Sequence, residues 1–391
     1  MSELLDNIAG KFLTLYKSSP LLVESPGRVN LIGDHTDYND GLVLPATINK
    51  SINLGLAPNQ IHRIRAYSID LNESVEMNLN HLEKSDKQWF NYIKGIVIEL
   101  DKIGVQTQGF DIVFGGDIPI GAGLSSSAAL EGAVLTGLNE VFELNLTKGE
   151  MAKIGQLTEH NHIGVNCGIM DQFVNLHGQQ NAALLLDCRS LGFKVIPFNR
   201  KDIKIVICNS RVSHNLASSE YNLRRTQCEE GAELLRKYDS KIVNLRDVSF
   251  ELLEKHKDEL ATEVYNRCKF VLDENKRVID ASKCLLSSDF LAFGKIMFQS
   301  HQGLSEEFEV SCNELNTLVE IAKGQKGVLG SRMMGGGFGG CTINLVEDQY
   351  VGNFCENIFG GYKERMGLEA EIYITQINSG AKVLEADLKL P

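Results

Sequence analysis

The sequence predicts an α+β fold. Three observations carry that prediction. Short β-like runs crowd the first half of the chain, and a long, mostly helical region occupies Ser219 to about Ser288. Nowhere do strands and helices alternate as repeated βαβ units, which a doubly wound parallel sheet would require.

In chain order, the apolar residues of the first twenty positions are spaced as on one helix face. Strand-like runs follow at Leu22–Glu24, Ser51–Ala57, Ile64–Tyr67 and Phe110–Phe114, interrupted by a helix pattern over about Trp89–Ile103. Two helix patterns run from Ser126 to about Phe142 and from Lys148 to about His162. Strands are expected at Ala182–Asp187, Lys194–Pro197 and Lys204–Asn209. After the helical region come a helix at Asn313–Ala322 and two closing strands, Cys341–Val346 and Ala370–Ile377, with helix between them. At about 100–200 residues per domain, 391 residues imply two or three domains. The change from strand-rich to helix-rich sequence near residues 190–200 sets an expected division into residues 1–195 and 196–391.

Composition narrows the class. The formal charge is −12, from 51 acidic and 39 basic residues, so a general affinity for nucleic acid is not expected. No apolar run approaches 18 residues, which argues against a membrane-spanning helix. The start carries Glu3 and Asp6 and lacks the basic, then continuously apolar, pattern of a signal peptide. The nine cysteines are scattered, with no C-x-x-C, as in a chain kept reduced in the cytoplasm rather than one stapled by disulfides or built on zinc.

Glycine is the unusual component. Ten of the 36 glycines fall in two short windows, Gly115–Ser127 and Gly330–Gly340. The first follows a strand-like run and ends in Ser125-Ser126-Ser127 at the start of a helix pattern. A helix N-terminus offers unpaired N–H groups and partial positive charge, and glycines let the backbone approach an anion. Two readings fit: a cradle for a triphosphate, without the Walker sequence, or a tight strand-to-helix turn with serine caps. In the second window Gly335, Gly337 and Gly340 satisfy G-x-G-x-x-G, but Cys341–Val346 reads as a strand, not the helix that dinucleotide binding needs. A close approach of backbone to ligand and a flexible surface turn both remain open there.

Polar residues in apolar frames supply further candidates. Arg28 and Asn30 stand among apolar residues, and Asp34-His35-Thr36-Asp37 follows Gly33. Such a run of short donors and acceptors suits a polyhydroxyl ligand, or alternatively a capped turn. Asp171 lies between Met170 and Phe173, where burial demands a partner, and Arg28 is a candidate. Glu159 is a hard oxygen donor suited to Mg²⁺, or a solvated helix carboxylate; His160 and His162 lack a third ligand at metal spacing.

Together these segments resemble the galactokinase family of the GHMP small-molecule kinases. Gly27-Arg28-Val29-Asn30-Leu31-Ile32-Gly33-Asp34-His35-Thr36-Asp37-Tyr38-Asn39 is similar to its N-terminal signature. Gly121-Ala122-Gly123-Leu124-Ser125-Ser126-Ser127 resembles the GHMP phosphate loop, and Gly335–Gly340 the third, glycine-rich motif. Trp89–Gly95, Cys167–Phe173 and Ser218–Tyr221 also match, in order, across nearly the whole chain.

The resemblance implies a two-lobed fold with the active site in the cleft between lobes. It implies transfer of the ATP γ-phosphoryl to the C1 hydroxyl of α-D-galactose, with ATP and Mg²⁺ required and a monomer expected. Asp171 would be the catalytic carboxylate and Arg28 its charge-stabilising neighbour. Asp34, His35, Thr36, Asp37, Gly168 and Tyr221 would contact the sugar. Gly121, Ala122, Gly123, Leu124, Ser125, Ser126 and Ser127 would wrap the phosphates, Ser127 and Glu159 would hold Mg²⁺, and Ser68, Trp89 and Tyr92 would lie near the nucleotide. A guanidinium beside a carboxylate makes it a weaker base, so orientation and electrostatics compete with proton acceptance as the role of Asp171. Asp34 departs from the family's usual Glu, which leaves N-acetylgalactosamine and L-arabinose as rival sugars. A galactose-binding regulator without turnover is the alternative from another class. Mevalonate or homoserine would be repelled by Asp34 and Asp37.

Overall fold

The computed structural model describes residues 3–119, 121–213 and 217–384. Met1 and Ser2 of the first helix pattern and Ile120 of the first glycine window lie outside them. In chain order the elements begin with helix α1 (Glu3–Tyr16) and strands β1 (Leu21–Asn30), β2 (Leu42–Val43), β3 (Pro45–Pro58), β4 (Arg63–Ser68) and β5 (Glu73–Asn78). Helix α2 (Gln88–Lys102), strand β6 (Phe110–Gly116) and helices α3 (Ser126–Val141), α4 (Lys148–Thr158) and α5 (Met170–His177) follow. Next come β7 (Ala182–Asp187), β8 (Phe193–Pro197), β9 (Ile203–Ser213), α6 (Ala217–Arg236), α7 (Phe250–Lys255), α8 (Thr262–Leu286), α9 (Phe290–Glu306) and α10 (Asn313–Lys323). The chain closes with β10 (Val328–Met334), β11 (Gly339–Glu347), α11 (Val351–Met366), β12 (Glu371–Thr375) and β13 (Lys382–Val383).

Three sheets organise these elements: β13-β1-β3-β6-β4-β5, β10-β11-β9-β12 and β2-β7-β8. All pairings are antiparallel except β4 with β6, a pair whose connection carries α2. This is the expected α+β class. Strand alternation explains how the first sheet is covered on both faces. Val23 and Val29 of β1 and Ile112 and Phe114 of β6 point into the main core with α2 and α3. Leu22 and Val113 point the other way, against Ile8 and Phe12 of α1. The second sheet repeats the device: Ile205, Ile207 and Ile343 enter the main core, while Val206, Cys208 and Val346 meet α10 and α11. Strand β13 returns to the first sheet, with Val383 opposite Val23.

Six elements went unread in the sequence: helix α9, which lies beyond the helical region expected to end near Ser288, the two-residue strands β2 and β13, and β5, β10 and α5. β5 is an edge strand whose apolar alternation amounts to two residues, Val75 and Met77, too short a pattern to mark a strand in a largely polar segment. β10 carries Gly330 and Arg332 inside a buried run and so reads as part of a glycine loop. α5 spans eight residues, too short for a clear helical period. Helix α4 ends at Thr158, and Glu159–Ile163 widen into one π-helical turn. Such turns are rare, mostly single-turn insertions in α-helices, and frequent at functional sites.

Candidate active site

Arg28 sits at the inner end of β1, just past a register shift between Pro26 and Arg28. The glycine before it is required there: a Cβ on Gly27 would stand 2.8 Å from the carbonyl oxygen of Leu124. That carbonyl accepts the Arg28 backbone N–H at 3.1 Å, so the first glycine loop is pinned to β1. The Arg28 side chain then makes three charge-assisted bonds. Nε donates to Asp171 Oδ1 at 2.7 Å, Nη2 to Asp171 Oδ2 at 2.6 Å, and Nη1 to Gly123 O at 2.6 Å. Asp171 enters from the first turn of α5. Burial opposes the Arg28 charge, but Asp171, Asp34 and Asp37 outweigh it and hold its pKa above the ordinary value.

Ser125 caps α3 from the left-handed region, at φ 60°, and its hydroxyl donates to Asp171 Oδ2. A non-glycine residue in that conformation costs free energy and points to an imposed geometry. The phosphate-loop cavity, about 270 Å³, is lined by Gly121, Gly123, Leu124, Ser125, Ser126 and Ser127, with Arg28, Asp171, Gly335 and Gly336. Ala122 is fully buried in the core and supports the loop from behind.

A second cavity of about 290 Å³ opens on the other side of Arg28 and Asp171. Asp34, His35, Asp37, Gly168, Tyr221, Glu159, Gly335 and Gly336 line it. His35, at φ 65°, has its ring among Tyr38, Tyr221 and Phe308, and Nδ1 lies 2.8 Å from the Tyr38 hydroxyl. Burial pushes its pKa down to about 4, so the ring is neutral. Gly168 is in close contact with Asp37: a Cβ there would lie 1.9 Å from Asp37 Oδ2. Asp37 is half-buried, and desolvation and then the charge of Asp171 push its carboxyl up to about 7. Thr36 does not line this cavity. Its hydroxyl lies 2.8 Å from Gly33 O and 2.7 Å from Leu42 O and shares its one proton between these carbonyls, closing the turn that presents its neighbours.

The third cavity, about 510 Å³, is lined by Ser68, Trp89, Tyr92, Phe114, Ile118, Ser126, Ser127 and Leu130. Trp89 Nε1 donates to Glu73 Oε2 at 2.9 Å, and Lys87 Nζ binds the other oxygen of the same carboxylate at 2.6 Å. Glu73 therefore fixes the indole at the rim. Ser127 borders all three cavities and so marks their junction.

Glu159 lies on the π-helical turn, hydrogen-bonded to Ser127. Desolvation is the main cause that lifts its pKa to about 7, with Asp171 adding to it; no basic group is among the causes. Glu131 is buried behind it, raised by desolvation and by Glu159, and its Oε1 has no hydrogen-bond partner. His160 Nε2 meets Cys167 O at 2.8 Å and His162 Nε2 meets Glu99 Oε1 at 2.8 Å, so both histidines are engaged in the fold.

Arg332 escaped the sequence reading. It is fully buried on β10 and bonded to Asp34. The signal was present: an arginine in the apolar frame Ser331-Arg332-Met333-Met334, beside a glycine window, repeats the pattern that marked Arg28. Glu73 had no such signal, because its role depends on tertiary contact with Trp89.

The cleft, with a glycine loop at a helix start, a paired arginine and aspartate, and a glycine hairpin opposite, defines a small-molecule kinase of the GHMP type. Models of the GHMP kinases N terminal domain and the GHMP kinases C terminal match residues 91–179 and 281–359. The galactokinase galactose-binding signature matches residues 10–58. The chain is 42% identical to a galactokinase of Clostridium acetobutylicum over 92% of its own length and 93% of the relative's. It is 38% identical to a galactokinase of Roseiflexus sp., covering 92% of each chain. The crystal structure of Lactococcus lactis galactokinase complexed with galactose superposes with a TM-score of 0.93 at 36% identity, covering 97% of this chain and 100% of that one. The chain belongs to the galactokinase family. Mevalonate kinase of Methanococcus jannaschii, at 20% identity and a TM-score of 0.64, shares the fold. Among the described residues no helix is long and apolar enough to cross a membrane.

Proposed function

We propose that this chain transfers the γ-phosphoryl of ATP to the C1 hydroxyl of α-D-galactose, giving galactose 1-phosphate and ADP. One observation carries the proposal: Arg28 and Asp171 form the wall shared by the glycine-loop cavity and the polar cavity lined by Asp34, His35 and Asp37. A group transferred between two ligands passes that wall.

Phosphoryl transfer asks mainly for positioning and charge stabilisation. ATP occupies the large cavity with its base beside Trp89, Tyr92 and Ser68 and its phosphates along Gly121–Ser127. N–H groups at the start of α3 and the Arg28 guanidinium face the γ-phosphoryl oxygens. The sugar occupies the smaller cavity, held by Asp34, His35, Asp37, Gly168 and Tyr221. Asp171 orients the C1 hydroxyl and accepts its proton as the bond to phosphorus forms. The Ser125 hydroxyl and the Arg28 fork keep the carboxylate aimed.

Ser127 and Glu159 suit Mg²⁺: a hydroxyl and a desolvated carboxylate, bonded to each other, with no cationic neighbour acting on Glu159. When bound, the ion would neutralise phosphate charge. Glu159, deprotonated on binding, would provide the negative countercharge, and the Ser127 hydroxyl would be the second oxygen donor.

The test is an initial-rate panel with ATP, Mg²⁺ and galactose, N-acetylgalactosamine or L-arabinose. Galactose is expected to give the highest kcat/KM. Turnover confined to another sugar, or galactose binding without ADP release, would sink the proposal.

A further inference from the structure

Arg332 lines none of the three cavities, yet it reaches the polar cavity through Asp34. Its Nη1 donates to Asn30 O at 2.9 Å and its Nη2 to Asp34 Oδ2. The same oxygen accepts the Gly335 N–H at 3.0 Å, and Asn30 Nδ2 donates to Asp34 Oδ1 at 2.8 Å. One carboxylate therefore joins the end of β1, the middle of β10 and the first glycine of the hairpin loop. These segments lie some three hundred residues apart in sequence.

Stability alone does not account for this pair. Arg332 is completely buried and Asp34 nearly so, while Arg332 Nε has no hydrogen-bond partner. Desolvating two charges and stranding an N–H offsets much of the Coulomb attraction, and an apolar pair of similar volume often serves a core as well. What a buried fork supplies is a fixed position. Here the position is that of the turn bearing Asp34, His35 and Asp37, and of Gly335 and Gly336 on the opposite lip.

We propose that Arg332 is a positioning residue for the sugar: through Asp34 it sets the Asp34–Asp37 turn against the Gly335–Gly336 lip, and because the lip borders both cavities while the turn borders only the polar one, it affects sugar affinity more than nucleotide affinity. Both oxygens of Asp34 are taken by protein donors. Its carboxylate acts first as the pin between the two lips and only then as a sugar ligand. Lysine cannot replace the fork, since one ammonium does not span Asn30 O and Asp34 in the same planar geometry.

This inference rests on the sugar being bound in the Asp37 cavity, and the experiment separates the two. Galactose binding is titrated calorimetrically, and both KM values are measured, for the full chain and for Arg332→Lys, Asp34→Asn and the double variant. Arg332→Lys is expected to weaken galactose binding and raise its KM about tenfold or more, with the ATP KM changed less than about threefold. Because Arg332 works through Asp34, the double variant should be no worse than Asp34→Asn alone. Arg332→Gln, which keeps a neutral donor, carries the same comparison should the lysine variant not fold. On the unmodified protein, galactose alone should slow hydrogen exchange at the Gly335 amide. Unchanged galactose affinity in the variants, equal loss for both substrates, multiplying effects in the double variant, or unaltered Gly335 exchange would each overturn the role of Arg332. A wild-type chain that binds no galactose would overturn the sugar assignment itself.

Discussion

Arg28 and Asp171 meet fork to fork, Nε on Oδ1 at 2.7 Å and Nη2 on Oδ2 at 2.6 Å, with the third arm of the guanidinium on Gly123 O. The pair couples the β1 signature, the phosphate loop and α5 in one rigid unit. It also places a nearly buried positive charge beside the carboxylate proposed to face the acceptor hydroxyl.

Replacing Asp171 with Asn keeps the volume but removes the charge and the capacity to take a proton. The expected loss in kcat is about 10²–10⁴, the usual range for a positioned acid or base. Arg28→Lys gives up the fork and should lower kcat about 10²–10³. Circular dichroism and the melting temperature report whether each variant is folded. Near-normal turnover in folded Asp171→Asn would remove Asp171 from the reaction.

At Gly168 backbone and side chain leave no room for a larger residue. A methyl group there collides with Asp37 Oδ2, so the turn or the loop before α5 must move. Gly168→Ala should raise the galactose KM about tenfold, cost about 1–3 kcal/mol of stability, and leave the ATP KM nearly unchanged. Steady-state kinetics and thermal unfolding check both parts. An unaltered galactose KM would show that the Asp37–Gly168 contact does not shape the sugar pocket.

Much of this site was legible in the chain itself. Arg28, Asp171 and the serine-ended glycine loop stand out because polar residues or consecutive glycines interrupt apolar frames, and such interruptions are costly without a purpose. What was hidden depends on tertiary contact. Ser125 reads as a helix cap, but its hydroxyl turns to Asp171 because its backbone is left-handed. Thr36 reads as a ligand, yet its hydroxyl is taken up by the turn. Glu73 and Arg332 act on Trp89 and Asp34 across the fold: Arg332 interrupts an apolar frame as Arg28 does, but its partner is not legible there, and nothing local announces Glu73.

Removing the proposed metal position gives a separable phenotype. Glu159→Gln keeps the hydrogen-bonding shape beside Ser127 and deletes the charge. The Mg²⁺ concentration for half-maximal rate should rise about 10–100-fold, with galactose binding unchanged in calorimetry. An unshifted Mg²⁺ requirement would reassign Glu159 to a structural role.

The pH dependence of stability follows from Asp37. Its folded-state pKa is about 7, against an ordinary 3.8, because the cavity desolvates it and Asp171 repels its charge. The folded chain thus holds this proton more tightly than the unfolded chain does. The stabilisation is complete below the unfolded value near 4, declines as pH rises toward about 7, and is absent above it. Glu159 and Glu131, also raised, act with the same sign, so the wild-type slope is a sum of several groups. Asp37→Asn removes one of them and stays neutral throughout. Between pH 5 and pH 8, without ligands, the wild-type melting temperature should fall by roughly 2–5 °C more than that of Asp37→Asn. Parallel melting curves for the two proteins would mean that Asp37 is charged across this range and that Arg28 or solvent, not a proton, balances it.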